Sequence, residues 1–219
     1  MDTNEWSPNR QSESEEAVNV LIHGSGFALS VFGFFVLLAS ALWFGDLSHV
    51  AGSAVFASSL SMVYLSSTLY HGVQNAKLKR FFREVDHVCI YLLIAGTITF
   101  LALTVIKGAM CWAVLGIEWF LVVCGIALKL LFGVRHDRIS VMFYIFAASI
   151  VFLGSQEMID RFSFYQAALM ASGCGFYLLG IPFYLMDQKY KFFHSVWHAF
   201  VLAGSLCHYF MALLIIPWP

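Results

Sequence analysis

The sequence predicts an all-α membrane protein with seven transmembrane helices, and three observations support this fold class. The chain of 219 residues is 60% hydrophobic and only 11% charged, whereas a soluble domain is about half apolar and about a quarter charged. Seven apolar stretches are each long enough to cross a bilayer as a helix. Alternation of apolar and polar residues at a period of two, which would indicate a membrane barrel, does not occur in them.

The predicted spans follow one another with short connections, over residues 18–44, 49–71, 87–106, 109–133, 139–158, 163–186 and 194–216. The residues before them, "MDTNEWSPNRQSESEEA", are polar and acidic and lack the basic start and apolar centre of a secretory signal. We therefore predict a solvated cytoplasmic tail over 1–17 and a seven-helix transmembrane domain over 18–219. Ser12 and Glu15 have the spacing of a capping box, which indicates a helix start close by.

Lys and Arg residues are distributed unequally between the two sides of this arrangement. One side carries only Lys107 and Arg161. The other side carries Arg10, Lys77, Lys79, Arg80, Arg83, Lys129, Arg135, Arg138, Lys189 and Lys191. Because cytoplasmic loops carry the excess of basic residues, we expect the N-terminus in the cytoplasm and the C-terminus outside. The net charge of −1 gives no electrostatic reason to expect a nucleic-acid partner.

Residues that can bind a metal occur at the cytoplasmic end of three predicted spans. His71 ends the second span, Asp86 begins the third, and His194 and His198 begin the seventh. His194 and His198 are four residues apart, so they share one helix face. Together with His71 they would form a three-histidine site, which leaves a fourth tetrahedral position for water and is typical of catalytic zinc. Asp86 would then hold or deprotonate that water.

The first helix offers further polar residues near the same membrane face. Glu16, Asn19 and His23 follow one face of this helix. They would either support the metal ligands without touching the metal or form a polar stripe where the helix enters the membrane. The pair His194 and His198 alone is weak support for a metal, because two histidines at helical spacing also occur by accident.

Three other ionisable residues in the apolar spans receive different interpretations. His87 adjoins Asp86 but points about 100° away from it on a helix, so it would lie beside the site or at the membrane interface. His208 is ten residues beyond His198, about 15 Å along the helix, and is predicted to be a hydrogen-bonded histidine inside the bundle. Glu118, in the middle of the fourth span, would be neutral or bonded to a neighbouring helix.

Four stretches carry these residues in a family pattern: "EEAVNVLIHGSG" (15–26), "SSTLYHGV" (66–73), "DHVCIYLLIAGT" (86–97) and "HSVWHAFVLAGSLCHYF" (194–210). Together they resemble the hemolysin III family, in particular its bacterial inner-membrane branch. The resemblance extends from about Glu15 to the C-terminus. That branch is similar to the adiponectin and progestin receptor family and, more distantly, to alkaline ceramidases. One departure is "GTITFL" (96–101), in which Phe100 stands where relatives usually have a proline.

The resemblance implies a seven-helix fold with the N-terminus inside and a zinc ion held by His71, His194 and His198. It also implies that Asp86 binds the zinc water and that Ser67 lies beside the site. Since alkaline ceramidases hydrolyse lipid amides, the natural extension is a zinc-dependent hydrolase of a lipid amide or ester. The bacterial branch is linked to membrane-lipid homeostasis and is named for haemolysis.

Four functions remain open from the sequence. One of them, a transporter or channel, is disfavoured because few intramembrane charges could line a path, although Glu118 keeps it open. The other three are more specific. The first is the lipid hydrolase, with Asp86 as general base and Ser67 as a hydrogen-bond donor to the developing oxyanion. The second is a non-enzymatic sensor or regulator of membrane lipids in which zinc is structural. The third is a cytolysin, which is disfavoured because a chain that is apolar along nearly its whole length cannot readily be secreted in soluble form. In the first two cases the expected partner is a membrane lipid, and the expected location is the bacterial inner (plasma) membrane.

Overall fold

The computed structural model describes residues 11–132 and 137–219, which are helical and contain no strand. Its helices are α1 (Glu13–Phe44), α2 (Leu47–Gly72), α3 (Ala76–Thr104), α4 (Gly108–Phe132), α5 (Asp137–Ser149), α6 (Ser155–Arg161), α7 (Phe164–Leu185) and α8 (Phe193–Ile215). A 3₁₀-helix over Ile150–Gly154 joins α5 to α6, so these three pieces form a single span. The described residues contain seven segments that are long and apolar enough to cross a membrane. The predicted fold class is confirmed, and the chain is a multi-pass membrane protein.

The first helix begins at Glu13, five residues earlier than the first predicted span. The predicted capping box forms at this point. The Ser12 hydroxyl accepts from the backbone N–H of Glu15 at 3.4 Å, and the Glu15 carboxylate accepts from the backbone N–H of Ser12 at 2.9 Å. The last residues of the predicted tail are therefore helical, while residues 1–10 of that tail lie outside the described residues.

The third helix also begins earlier than predicted, at Ala76 instead of residue 87. The side-chain oxygen of Asn75 caps it by accepting from the backbone N–H groups of Lys77 and Leu78, at 3.0 and 3.1 Å. The basic residues that follow precede the apolar part of the helix, so hydropathy could not reveal its first turns. Asp86 consequently lies well inside α3 and not at its start.

Two of the basic residues assigned to the cytoplasmic side have an unexpected environment. Lys79 and Arg83 are buried at the end of the bundle and not solvated in a connecting loop. Arg10 and Arg135, which were counted on the same side, lie outside the described residues.

The packing order places α1 between α2 and α8, while α2 also packs on α3 and α8 also packs on α7. Residues far apart in sequence therefore meet where the cytoplasmic ends of α1, α2 and α8 were predicted to lie. Phe100, which replaces the proline of relatives, is buried in an unbroken α3 and packs against Phe56 with ring centroids 6.2 Å apart. Its backbone lies close to Gly52, where a Cβ would be 3.1 Å from the Phe100 Cα.

Candidate metal centre

The three histidines predicted as ligands come together at one end of the helix bundle. His71 lies in the last turn of α2, and His194 and His198 lie in the first two turns of α8. One ring nitrogen from each lies within 4.8 Å of the others. The Nε2 atoms of His71 and His198 are 3.0 Å apart. His71 and His198 are buried and His194 is half-buried, so the cluster is largely protected from solvent.

Glu16 in α1 fixes the orientation of His71. The Nδ1 atom of His71 lies 2.6 Å from Glu16 Oε2, and a carboxylate can only accept, so Nδ1 carries the proton. The lone pair on Nε2 is then directed at the other histidines. The second oxygen of Glu16 forms an ion pair with Lys79 Nζ at 2.8 Å. Glu16 therefore contacts a predicted metal ligand directly, which agrees with the predicted role of supporting the ligands.

Asn19 and His23, one and two turns further along α1, contact the cluster in different ways. Asn19 Nδ2 lies 3.4 Å from His71 Nδ1, and Asn19 Oδ1 accepts from the Ser195 hydroxyl at 2.6 Å. The His23 ring packs on the His198 ring with centroids 3.7 Å apart. Both ring nitrogens of His23 are buried with no hydrogen-bond partner among the described residues. Asn19 thus links the starts of α1 and α8, and His23 covers one face of His198.

Asp187, in the connection between α7 and α8, contacts the third ligand and was not predicted. Its Oδ2 lies 2.8 Å from Nδ1 of His194. No periodicity relates the two residues, because the intervening chain is a series of turns. Sequence spacing alone therefore gave no signal for this contact.

A cavity of about 240 Å³ lies beside the cluster, and its lining includes Asp86, His194 and His198. Asp86 thus faces the same space as two of the histidines, as predicted. Its Oδ1 lies 3.4 Å from the hydroxyl of Ser66, which donates to the Val63 carbonyl at 3.0 Å. Ser67, predicted to lie beside the site, is fully buried, and its Oγ has no hydrogen-bond partner among the described residues.

The remaining ionisable residues take separate positions. His87 lines the same cavity, donates from Nδ1 to the Arg83 carbonyl at 2.7 Å, and has Nε2 3.3 Å from the Tyr184 hydroxyl. His208 is a buried residue of α8 whose Nε2 lies 4.0 Å from Sγ of Cys174 in α7, and it is not among the clustered histidines. Both carboxylate oxygens of Glu118 are buried without a hydrogen-bond partner in the described part of the chain. Of the two predicted alternatives, a bond to a neighbouring helix is therefore not found there, and a neutral carboxyl group stays a prediction.

Similarity to known proteins extends over nearly the whole chain. The sequence model of the family described as "Haemolysin-III related" matches residues 11–209. Hemolysin-3 of Bacillus cereus is 34% identical over 203 residues, which cover 93% of this chain and 92% of that protein. The Hemolysin-3 homolog of Bacillus subtilis (strain 168) is 33% identical over 199 residues, or 91% of this chain and 93% of that protein.

A more distant similarity reaches animal proteins. The monocyte to macrophage differentiation factor of Homo sapiens is 24% identical over 170 residues, which cover 71% of this chain and 66% of that protein. The extent of the family match and the identity to the two bacterial relatives agree with the motifs that hold the histidine cluster. The chain belongs to the haemolysin-III-related family.

Proposed function

We propose that this protein is a zinc-dependent hydrolase of a lipid amide or ester in the bacterial inner (plasma) membrane. The observation that carries the proposal is a cluster of three imidazoles beside a cavity that is lined by two of them and by a carboxylate, Asp86. Three histidine ligands and an open fourth position are typical of catalytic zinc, whereas structural zinc sites are usually closed by a fourth protein ligand.

The donor set fits a zinc ion. Zn–N bonds of about 2.0–2.1 Å around a tetrahedral centre place ligand nitrogens about 3.3 Å apart. The Nε2 atoms of His71 and His198 are 3.0 Å apart, and all three ligand nitrogens lie within 4.8 Å of one another. Imidazole nitrogens also suit zinc better than the oxygen-preferring magnesium and calcium.

The polar residues around the cavity have separate tasks in this proposal. A bound zinc ion would polarise a carbonyl group and lower the pKa of its water. Asp86 accepts the proton of the attacking water on a carboxylate oxygen, and the Ser66 hydroxyl lies 3.4 Å from its Oδ1. The Ser67 hydroxyl is fully buried, is not part of the cavity lining, and has no hydrogen-bond partner among the described residues. Once turned toward the cavity, it would donate to the carbonyl oxygen as negative charge develops there.

A lipid is the proposed substrate because the site lies at one end of a bundle whose outer surface is apolar. Large exposed side chains such as Phe32, Trp112 and Phe164 cover that surface and indicate contact with acyl chains. Two bacterial relatives carry the name hemolysin, and a change in membrane lipids would lead to lysis indirectly. The site end also carries Lys77 and Lys189, so we assign it to the cytoplasmic leaflet.

The proposal is tested first by the metal content of the detergent-purified protein, measured by elemental mass spectrometry. Wild type is expected to hold about one zinc per chain, and the double variant His194→Ala/His198→Ala is expected to hold none. The matched control is His208→Ala, because His208 is a buried α8 histidine outside the cluster and should leave the zinc in place. A folded wild type that lacks zinc after growth with added zinc would overturn the proposal.

The variant Asp86→Asn then separates a hydrolase from a lipid sensor with structural zinc. We expect it to keep its zinc and to lose hydrolysis of lipid amides and esters by about 10²-fold or more, the usual contribution of a general base. If wild type binds zinc but hydrolyses none of these lipids, the hydrolase hypothesis is wrong, and the hypothesis of a lipid sensor with structural zinc replaces it.

A further inference from the structure

We propose that Asp187 is a positioning residue for a metal ligand: it holds the His194 ring so that Nε2 faces the other two histidines. This inference rests on the proposed zinc site. It assigns a task to a residue in the turn segment between α7 and α8, which lies outside the motifs that indicated the site.

The contact between Asp187 and His194 defines the state of the ring. Asp187 Oδ2 is 2.8 Å from His194 Nδ1, and the side chains are only 11% and 13% exposed. Since a carboxylate accepts and does not donate, Nδ1 carries the proton and the lone pair is on Nε2. Shielding from water strengthens such a charge-assisted hydrogen bond. The ring is therefore fixed in the one tautomer in which Nε2 can bind a metal.

The same arrangement occurs at a second ligand from the other side of the cluster. His71 Nδ1 is held by Glu16 of α1 at 2.6 Å, as His194 Nδ1 is held by Asp187. Carboxylate–histidine–metal chains of this kind fix the ring and raise the basicity of the ligand nitrogen. His198 differs, because its Nδ1 has no hydrogen-bond partner among the described residues. Two carboxylates from separate elements thus orient two of the three ligands.

Other roles for Asp187 agree less well with its contacts. Its Oδ2 accepts a hydrogen bond from Nδ1 of His194 at 2.8 Å, so this oxygen already has a partner and is not free to act as a ligand. Its Oδ1 accepts from the side-chain amide of Gln188 at 2.9 Å. With both oxygens engaged, the carboxylate is held in place, as a positioning role requires.

The test is the zinc affinity of purified full-length variants, measured by competition with a chelating dye in detergent. Asp187→Ala should bind zinc about 10–100-fold more weakly than wild type, the usual effect of losing such a partner. Asp187→Asn, which keeps an oxygen acceptor but no charge, should lie between the two, and Asp187→Glu should recover more affinity than Asp187→Ala. The control is Asp160→Ala, because Asp160 is an exposed carboxylate that also accepts from a side chain, Gln156.

A second measurement needs no metal. In metal-free protein with ¹⁵N-labelled histidine, NMR should show His194 as the Nδ1–H tautomer in wild type and a mixture of tautomers in Asp187→Ala. The positioning role alone would be refuted if wild type binds zinc and the zinc affinity of Asp187→Ala is within twofold of the wild-type affinity. An unchanged His194 tautomer in that variant would also refute this role alone. A wild type that binds no zinc would refute the proposed function and this role together.

Discussion

The substitution Lys79→Met tests whether the ion pair behind His71 stabilises the fold. Lys79 Nζ lies 2.8 Å from Glu16 Oε1, and the two side chains are 8% and 18% exposed. The same ammonium group donates to the Tyr70 carbonyl at 3.1 Å. Met fills a similar volume, so the change removes the charge and leaves the packing largely intact.

The expected loss follows from the burial of the pair. Removing one partner of a buried ion pair costs about 3–5 kcal/mol, because the other charge remains buried without compensation. Glu16 keeps its hydrogen bond from His71 at 2.6 Å and is partly exposed, so the lower end applies. We therefore expect Lys79→Met to lower the free energy of unfolding by about 3 kcal/mol.

The assay is reversible unfolding of the metal-free protein in detergent, with Lys77→Met as the control because Lys77 is exposed on the same turn of α3. The control should change stability by about 0.5 kcal/mol or less. In a double-mutant cycle, adding Glu16→Gln to Lys79→Met should restore part of the loss, since no charge is then left unpaired. Equal effects of Lys79→Met and Lys77→Met, or strictly additive losses in the cycle, would refute the reasoning.

Two further predictions concern packing and orientation. Gly26→Ala should destabilise the protein by about 1–3 kcal/mol, because a Cβ would lie 2.7 Å from the buried Tyr64 ring. The control Gly175→Ala should leave stability unchanged, because no atom lies within 4 Å of its Cβ. Equal stability of the two variants would contradict the α1–α2 packing. A C-terminal alkaline phosphatase fusion should be active and the matching green fluorescent protein fusion dark, and the reverse pattern would place the C-terminus in the cytoplasm.

The histidine cluster could be predicted because two separate kinds of pattern agree. The spacing of His194 and His198 places them on one helix face whatever the surroundings. Hydropathy places His71 near a span end, at the same predicted membrane depth, and the bundle then brings these ends within reach. Glu16 was predicted for the same reason, since α1 starts at this depth and its face is set by helical spacing.

The remaining features of the site depend on contacts that no periodicity encodes. Asp187 contacts His194 from a series of turns. The serine nearest to Asp86 is Ser66, whereas helical spacing from His71 indicates Ser67. The inward position of Lys79 was missed because it precedes the apolar part of α3, and hydropathy treats a helix as starting where it enters the hydrocarbon. The roles of such residues become visible only in the three-dimensional structure, where their partners on other parts of the chain can be seen.

The contacts around the cluster also explain how the polar groups are accommodated at the end of an apolar bundle. Burying an unpaired charge or imidazole there costs free energy, but most of these groups have a partner. Glu16 pairs with both Lys79 and His71, and Asp187 pairs separately with His194. The first two pairs join α1, α2 and α3, and the third joins α8 to the connection before it. Since the hydrogen bond from Ser195 to Asn19 links α8 to α1, the cluster forms only when distant parts of the chain have packed. A metal bound by His71 and the α8 histidines would therefore favour the folded bundle over any state in which α2 and α8 are apart. The same interactions that stabilise this end of the fold thus prepare it for a metal, and removing either carboxylate should weaken both.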